Sequence, residues 1–351
     1  MPRSILRPIS LARAIMAAAI ALVISLGVPV GTAFAQSSTE AGADLKFMRI
    51  GTGPTGGGYF PMGGLIGNAI SNPPGSRACD KGGSCGVPGL IAAAVSTNGA
   101  VENIDSIRRG TMELALAQAD IAYWAYHGTG PYKDKGAVEN LRAIAMLYQE
   151  SFHLVARAGS GIATIADLKG KRVSLGEEGS GTLIDALLIL DAFGLNEKTL
   201  KPQYLKPGAA ADALLAGEID AFFFVAGAPV TTISALTAGN AAHLVPIGGE
   251  QVAALTKTYP FLIAGEIAAD VYANQPAVPT INVGAVLVCS STLPDDLVYG
   301  ITQALWHPNN QNLFRKGHPG GEQMSLKTAA RGLGIALHSG AANYYFDAGV
   351  E

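Results

Sequence analysis

Charge is scarce in this chain of 351 residues. Only 15% of positions are Asp, Glu, Lys or Arg, the formal net charge is −3, and 49% of positions are hydrophobic. That composition excludes a disordered chain, which needs low hydrophobicity and high charge. The pI of about 6.1 argues against a nucleic-acid surface. Long apolar runs are also absent beyond the N-terminus, because Gly, Pro or a charge interrupts every later stretch before it reaches spanning length. The enzyme motifs HExxH, GxxxxGK[ST] and GxSxG do not occur, and the six histidines show no ligand spacing. Because triads need not be local in sequence, an enzyme would still need a perturbed acid or base in a cleft. Asp120, His153 and Glu177 are the candidates for that role.

Cysteine is limited to three residues. Cys79 and Cys85 flank a flexible Asp-Lys-Gly-Gly-Ser loop. Their spacing is not a redox motif, and no second metal pair accompanies them, so a small structural disulfide is expected. Cys289, in an apolar strand, reads as a buried free thiol.

Arg3, Arg7 and Arg13 precede an apolar run from Ala14 to Val28, and Ala33-Phe34-Ala35 offers a small-x-small cleavage site. This is the pattern of a secretory signal peptide over residues 1–35, cleaved after Ala35, with an exported, periplasmic mature chain. Removing those three arginines from 24 basic residues leaves 21 against 27 acidic ones, net −6.

After a polar linker, short apolar strands alternate with helical patterns, which predicts an α/β protein with mainly parallel sheets. The segments around 148–156 and 259–268 are read as the places where the chain passes between two lobes. Gly51-Thr-Gly53-Pro-Thr-Gly56 matches GxGxxG between a strand and a helix, but a loop stands where a dinucleotide site wants an acidic residue. What survives is a set of backbone N–H groups at a helix start, suited to an anion. Ser96–Gly99, Gly179–Thr182 and Ala226–Pro229 repeat the arrangement. Each alone is equally an ordinary cap or turn; four together predict a small-anion cleft. Thr55, Gly57, Tyr59, Asn98, Gln118, Ser180, Gly181, Thr182, Phe224 and Ala226 are the candidate ligand-binding residues. Glu177 and Glu178 read as solvated loop charges, one of which could meet a substrate amine.

The blocks IGTGPTGGGYFPMGG (50–64), STNGAVENIDSIRRG (96–110), LALAQADIAYWAYHGTG (114–130) and HLVARAGSGIATIADLKGKRVSLGEEGSGT (153–182) carry a family likeness. AADALLAGEIDAFFFVAGAP (210–229) and VPTINVGAVLVCSSTLPDDLVYGITQALW (278–306) continue it. From about residue 45 to the C-terminus the chain resembles the TAXI class of solute-binding proteins of tripartite ATP-independent periplasmic (TRAP) transporters. The resemblance implies a two-lobed periplasmic-binding-protein fold of type II, with two hinge crossovers and the ligand cleft between lobes. Lobe one would comprise 45–150 plus 265–351, and lobe two 151–264. It implies contacts from Gly57, Tyr59, Asn98 and Gln118 in the first lobe and from Ser180, Thr182 and Ala226 in the second. It further implies a monomer without cofactor, metal or catalysis. Such a protein captures a small carboxylate (glutamate, 2-oxoglutarate or a related dicarboxylate) by hinge closure and delivers it to TRAP permease subunits. The alternatives are a binding protein of an ATP-driven importer, a ligand sensor, or a periplasmic enzyme.

Overall fold

The computed structural model describes residues 45–350, so the expected signal peptide and its cleavage site lie outside the described residues. In chain order, β1 (Lys46–Gly51) leads into α1 (Tyr59–Ile70), and an insertion carries the short strands β2 (Ser71–Asn72) and β3 (Val87–Pro88). Then come β4 (Leu90–Val95), α2 (Ala100–Arg108), β5 (Leu114–Gln118), α3 (Ala119–His127) and the long β6 (Leu141–Arg157). The middle of the chain forms β7 (Arg172–Ser174), α4 (Gly181–Ala192), β8 (Lys201–Gln203), α5 (Pro207–Leu215), β9 (Ala221–Ala226), α6 (Thr231–Ala238) and β10 (Ala242–Leu244). It closes with α7 (Glu250–Thr258), β11 (Leu262–Ile267), β12 (Val278–Ser290), α8 (Asp295–Trp306), α9 (Pro308–Gly317) and α10 (Ser339–Asp347).

The strand order is β4-β1-β5-β12-β6-β9-β7-β8, with β10 added on β6 and β11 on β12. Each half repeats one scheme. β1 runs parallel to β4 and β5, and the antiparallel β12 follows β5. β7 runs parallel to β8 and β9, and the antiparallel β6 follows β9. β6 therefore belongs to both halves: Leu141–Ser151 pairs with β12, and Ser151–Arg157 pairs with β9 and β10.

Strand period fixes the layers, since successive side chains point to opposite faces. Leu114 and Leu116 of β5 pack with Ile66 of α1, Ile301 of α8 and Phe314 of α9, while Ala115 and Ala117 pack with Ile104 of α2 and Ile121 of α3. In β9, Phe222 and Phe224 meet Leu214 of α5 and Ile233 of α6; Phe223 and Val225 face the Ile189 and Leu255 side. All three phenylalanines are buried. No helix among the described residues is long and apolar enough to cross a membrane.

The apolar runs before and after Gln149-Glu150 form a single strand of 17 residues. One reading of the sequence is corrected here. The return crossing falls within β12 rather than at 259–268. Phe261 is held against Trp124, with ring centroids 5.5 Å apart, and β11 then runs back along β12 away from that contact. Tyr272 reaches His153, and Gln275 accepts from the Leu244 N–H, so residues near 270–280 pack with the second half. The Cys79–Cys85 disulfide is present, and Cys289 is a buried free thiol.

His153, 1% exposed on β6, ties the second half together. Its Nδ1–H donates to the Phe224 carbonyl at 3.2 Å, and its Nε2 accepts from the Tyr272 hydroxyl at 2.9 Å. That hydroxyl in turn accepts from the Val230 N–H. Both ring nitrogens are used with the ring neutral, and burial lowers its pKa to about 4. A histidine protonated more readily in the unfolded chain costs the fold stability as pH falls from about 6.5 toward 4, by up to roughly 1.4 kcal/mol per pH unit. Chemical denaturation at pH 7, 6, 5 and 4 checks this. His153→Gln is expected to start less stable at pH 7 and to lose less stability on acidification than the wild type.

Candidate functional site

Three helix starts converge where the two halves meet. α1 begins at Tyr59 after the glycine loop, α2 at Ala100 after Asn98-Gly99, and α4 at Gly181 after Ser180. Neither Gly58 nor Gly99 offers a side chain to cap its helix, so the first N–H groups stay free. Ser180 caps only one N–H, accepting from Leu183 at 3.1 Å while donating to the Glu177 carbonyl at 2.6 Å. The backbone N–H groups of Tyr59, Ala100, Gly181 and Thr182 find no acceptor among the described residues. They line a small cavity of about 40 Å³ together with Gly57, Asn98, Gln118, Phe224 and Ala226.

Direct contacts bridge the two sides of the cavity. The Glu102 N–H of α2 donates to the Gly179 carbonyl at 3.0 Å, and Gln118 Nε2 donates to Asp185 Oδ2 of α4 at 3.3 Å. A Cβ at Gly181 would sit 1.9 Å from Gln118 Oε1, so only glycine permits this approach. Thr182 serves the second half internally, its Oγ1 accepting from the Val225 N–H at 3.1 Å.

Nine of the ten candidate residues thus surround one cavity. Thr55 does not; it lies exposed at the apex of the glycine loop, which turns through a Gly57 N–H to Pro54 carbonyl bond. The loop Ala226–Pro229 contributes only Ala226, because α6 starts at Thr231 beyond it.

Sequence reasoning named Asp120 and Glu177 as the candidate acids of an enzyme, and it missed Glu150 and Asp185. Glu150, on β6 at the crossover, lines the cavity and is 1% exposed; Tyr59 donates to its Oε2 at 2.6 Å. Burial, with Asp120 adding to it, raises its pKa to about 8 against the opposing pull of the tyrosine bond. Glu177, read as solvated, is buried and lines the cavity; burial raises it to about 7, opposed by Lys206. Glu178 is exposed, as expected. Behind Gln118, Asp120 of α3 and Asp185 of α4 are fully buried, and burial raises the pKa of both. The signal for Glu150 and Asp185 was present: each is an acid set among apolar neighbours, Glu150 the only acid of β6 and Asp185 on the apolar face of α4.

No Lys, Arg or His side chain lines the cavity. What it offers is N–H donors at three helix starts, where the helix dipole favours negative charge, beside two carboxyl groups that accept or donate one proton. Among the described residues Cys79, Cys85 and His307 come close together, but the two sulfurs are bonded to each other. His307 Nδ1 accepts from the Asn309 N–H, which leaves its Nε2 as a donor rather than a ligand.

Solved structures of similar architecture include a protein from Bordetella bronchiseptica RB50, with a TM-score of 0.50 at 13% identity over 86% of this chain and 82% of that one. The alkanesulfonate-binding protein SsuA from Xanthomonas axonopodis pv. citri bound to MOPS aligns with a TM-score of 0.45 at 16% identity, over 87% and 84%. A TctC solute binding protein from Polaromonas gives 0.43 at 17% identity, over 85% and 98%. At these identities the likeness is one of fold alone, a mixed α/β architecture built on a central sheet. The model of the NMT1-like family matches residues 50–349, and the chain belongs to that family.

The Gly181 contact generates a direct check. Gly181→Ala is expected to hold the halves apart and release the bond from Glu102 to Gly179. The Glu102 amide should then exchange with deuterium at least about tenfold faster, while amides in β5 and β9 keep their protection. Unchanged exchange at Glu102 would mean that the α2–α4 contact does not depend on this glycine.

Proposed function

We propose that this protein is an extracytoplasmic solute-binding protein that captures a small carboxylate between its halves and hands it to a membrane permease. The observation that carries the reading is the convergence of free N–H groups from α1, α2 and α4, supplied by both halves, on one cavity. A carboxylate seated there bonds to both halves at once. It therefore favours the closed arrangement by its differential affinity alone. The TAXI likeness of the sequence blocks assigns the permease to the TRAP class, and the N-terminal pattern assigns export with cleavage after Ala35. Binding rather than chemistry is supported by His153, whose two nitrogens are committed to the fold, and by the Ser180 and Thr182 hydroxyls beside Glu177, which are engaged with backbone groups.

The acids narrow the cargo within the carboxylates. A dianion without an amine would face Glu150 and Glu177 with no Lys, Arg or His in the cavity lining to offset them. A solute with an ammonium group gives Glu150 and the free Gln118 Oε1 a donor to accept from. Glutamate meets this demand better than 2-oxoglutarate.

A thermal-shift screen of protein unfolded and refolded to strip bound solute tests both parts. Binding at about 100 times Kd adds about 2.7 kcal/mol of stability, so the midpoint is expected to rise with L-glutamate and to rise less with 2-oxoglutarate at equal concentration. Glu150→Gln should erase that preference. Asn98→Ala removes a side chain that makes no hydrogen bond within the protein and is expected to weaken binding about tenfold, a loss of about 1.4 kcal/mol. If alkanesulfonates shift the midpoint and carboxylates do not, the cargo class is wrong.

A further inference from the structure

One pair of groups at the cleft is left chemically incomplete. Asp120, second residue of α3, lies in the first half; Asp185, on the inner face of α4, lies in the second. Both are 0% exposed, and the Gln118 side chain, two residues before Asp120, bonds Asp185, so the two acids lie on facing sides of one contact. Asp120 Oδ1 accepts from the Ile121 N–H at 2.7 Å, and Asp185 Oδ2 accepts from Gln118 Nε2 at 3.3 Å. The remaining oxygens, Asp120 Oδ2 and Asp185 Oδ1, have no donor, and neither does the neighbouring Gln118 Oε1. Two buried carboxylates facing each other cannot both stay ionised; they hold one proton between them, which supplies the missing donor.

We propose that Asp120 and Asp185 form a proton-binding latch, in which closing the two halves takes up one proton and opening releases it. The proposal rests on the reading that the halves open and close, and it goes beyond the identity of the solute.

The groups facing the pair are all acidic or neutral. Glu150 of β6 acts on both carboxyls, and Tyr59 of α1 stands beside Asp120. Gln118, at the end of β5, bonds Asp185, and no Lys, Arg or His acts on either acid. Nothing nearby offsets two negative charges, so the proton is required.

The sign follows from where the proton is held. Apart and in water, each aspartate ionises near the ordinary pKa of about 3.9; together, the pair keeps a proton to a much higher pH. Between those limits the closed state gains up to about tenfold in population for each unit that pH falls. Above the pair's own titration the closed state carries two unshielded charges and opens.

The test needs no solute. Small-angle X-ray scattering of the ligand-free chain from pH 5 to 9, in potassium buffer, reads the open–closed balance as a radius of gyration. The wild type is expected to contract as pH falls. Asp185→Asn places a permanent amide donor opposite Asp120 Oδ2 and should stay contracted throughout; Asp120→Asn is the matching variant if the first folds poorly. Glu150→Gln should keep the pH response, shifted to lower pH by the loss of a neighbouring charge. A wild-type radius that ignores pH, or an Asp185→Asn curve that follows the wild type, overturns the latch. Contraction that follows sodium at fixed pH overturns it too, because the pair then shares a metal cation. The thermal-shift screen stands apart, so failure of the latch leaves solute capture intact.

Discussion

The structure depends on how the chain crosses between its halves. It does so through β6 and β12, two long strands hydrogen-bonded to each other along most of their length. A loop crossing would leave the halves free in every direction. A paired ladder instead fixes their spacing, while two register shifts, between Ala285 and Val286 and between Leu287 and Val288, interrupt its regularity near the middle. The same ladder places Glu150 at the floor of the cavity, because that residue lies where β6 changes partners from β12 to β9. Hinge and binding floor are thus one stretch of backbone.

On either side of that floor, the local order strand–glycine loop–helix brings helix starts to one edge of the sheet. The halves contribute opposing electrostatic elements. Three uncapped or partly capped helix starts favour an anion by about 0.3–1 kcal/mol each, and more where burial is good. Four buried acids oppose it. The acids do not cancel the helix starts, because burial raises the pKa of each toward neutrality or beyond. Protonated carboxyls become donors rather than charges. The cleft therefore reads the proton state of its own walls as well as the solute.

Much of this was legible in the sequence. The full burial of Leu114–Gln118 and of Ala221–Ala226 follows from apolar strands set between helical patterns, and glycine-rich loops before apolar runs marked the three helix starts. The 17-residue β6 was not legible as one strand, because Gln149-Glu150-Ser151 interrupts its apolar run. That interruption is polar for the sake of the cavity and not because the strand ends. Glu177 read as solvated for a similar reason: its burial comes from α2 closing on the Gly179 loop, a contact between residues some 80 positions apart. Local pattern carries no trace of such a contact. The second crossing was displaced because Phe261 is drawn to Trp124 and Tyr123, and the aromatic attraction turns the chain back before it crosses.

Glycine at position 181 shows how these levels are coupled. Locally it opens α4 behind the Ser180 cap, a role that alanine would fill with better helix propensity. Across the cleft, however, Gln118 Oε1 occupies the space of its absent Cβ. That approach lets Gln118 reach Asp185, which in turn sets Asp185 facing Asp120. A residue chosen for lack of a side chain thus sets the distance between two carboxyls elsewhere in the cleft. Helix propensity is surrendered at one position so that three buried polar groups, each on a different element, meet only when the halves close.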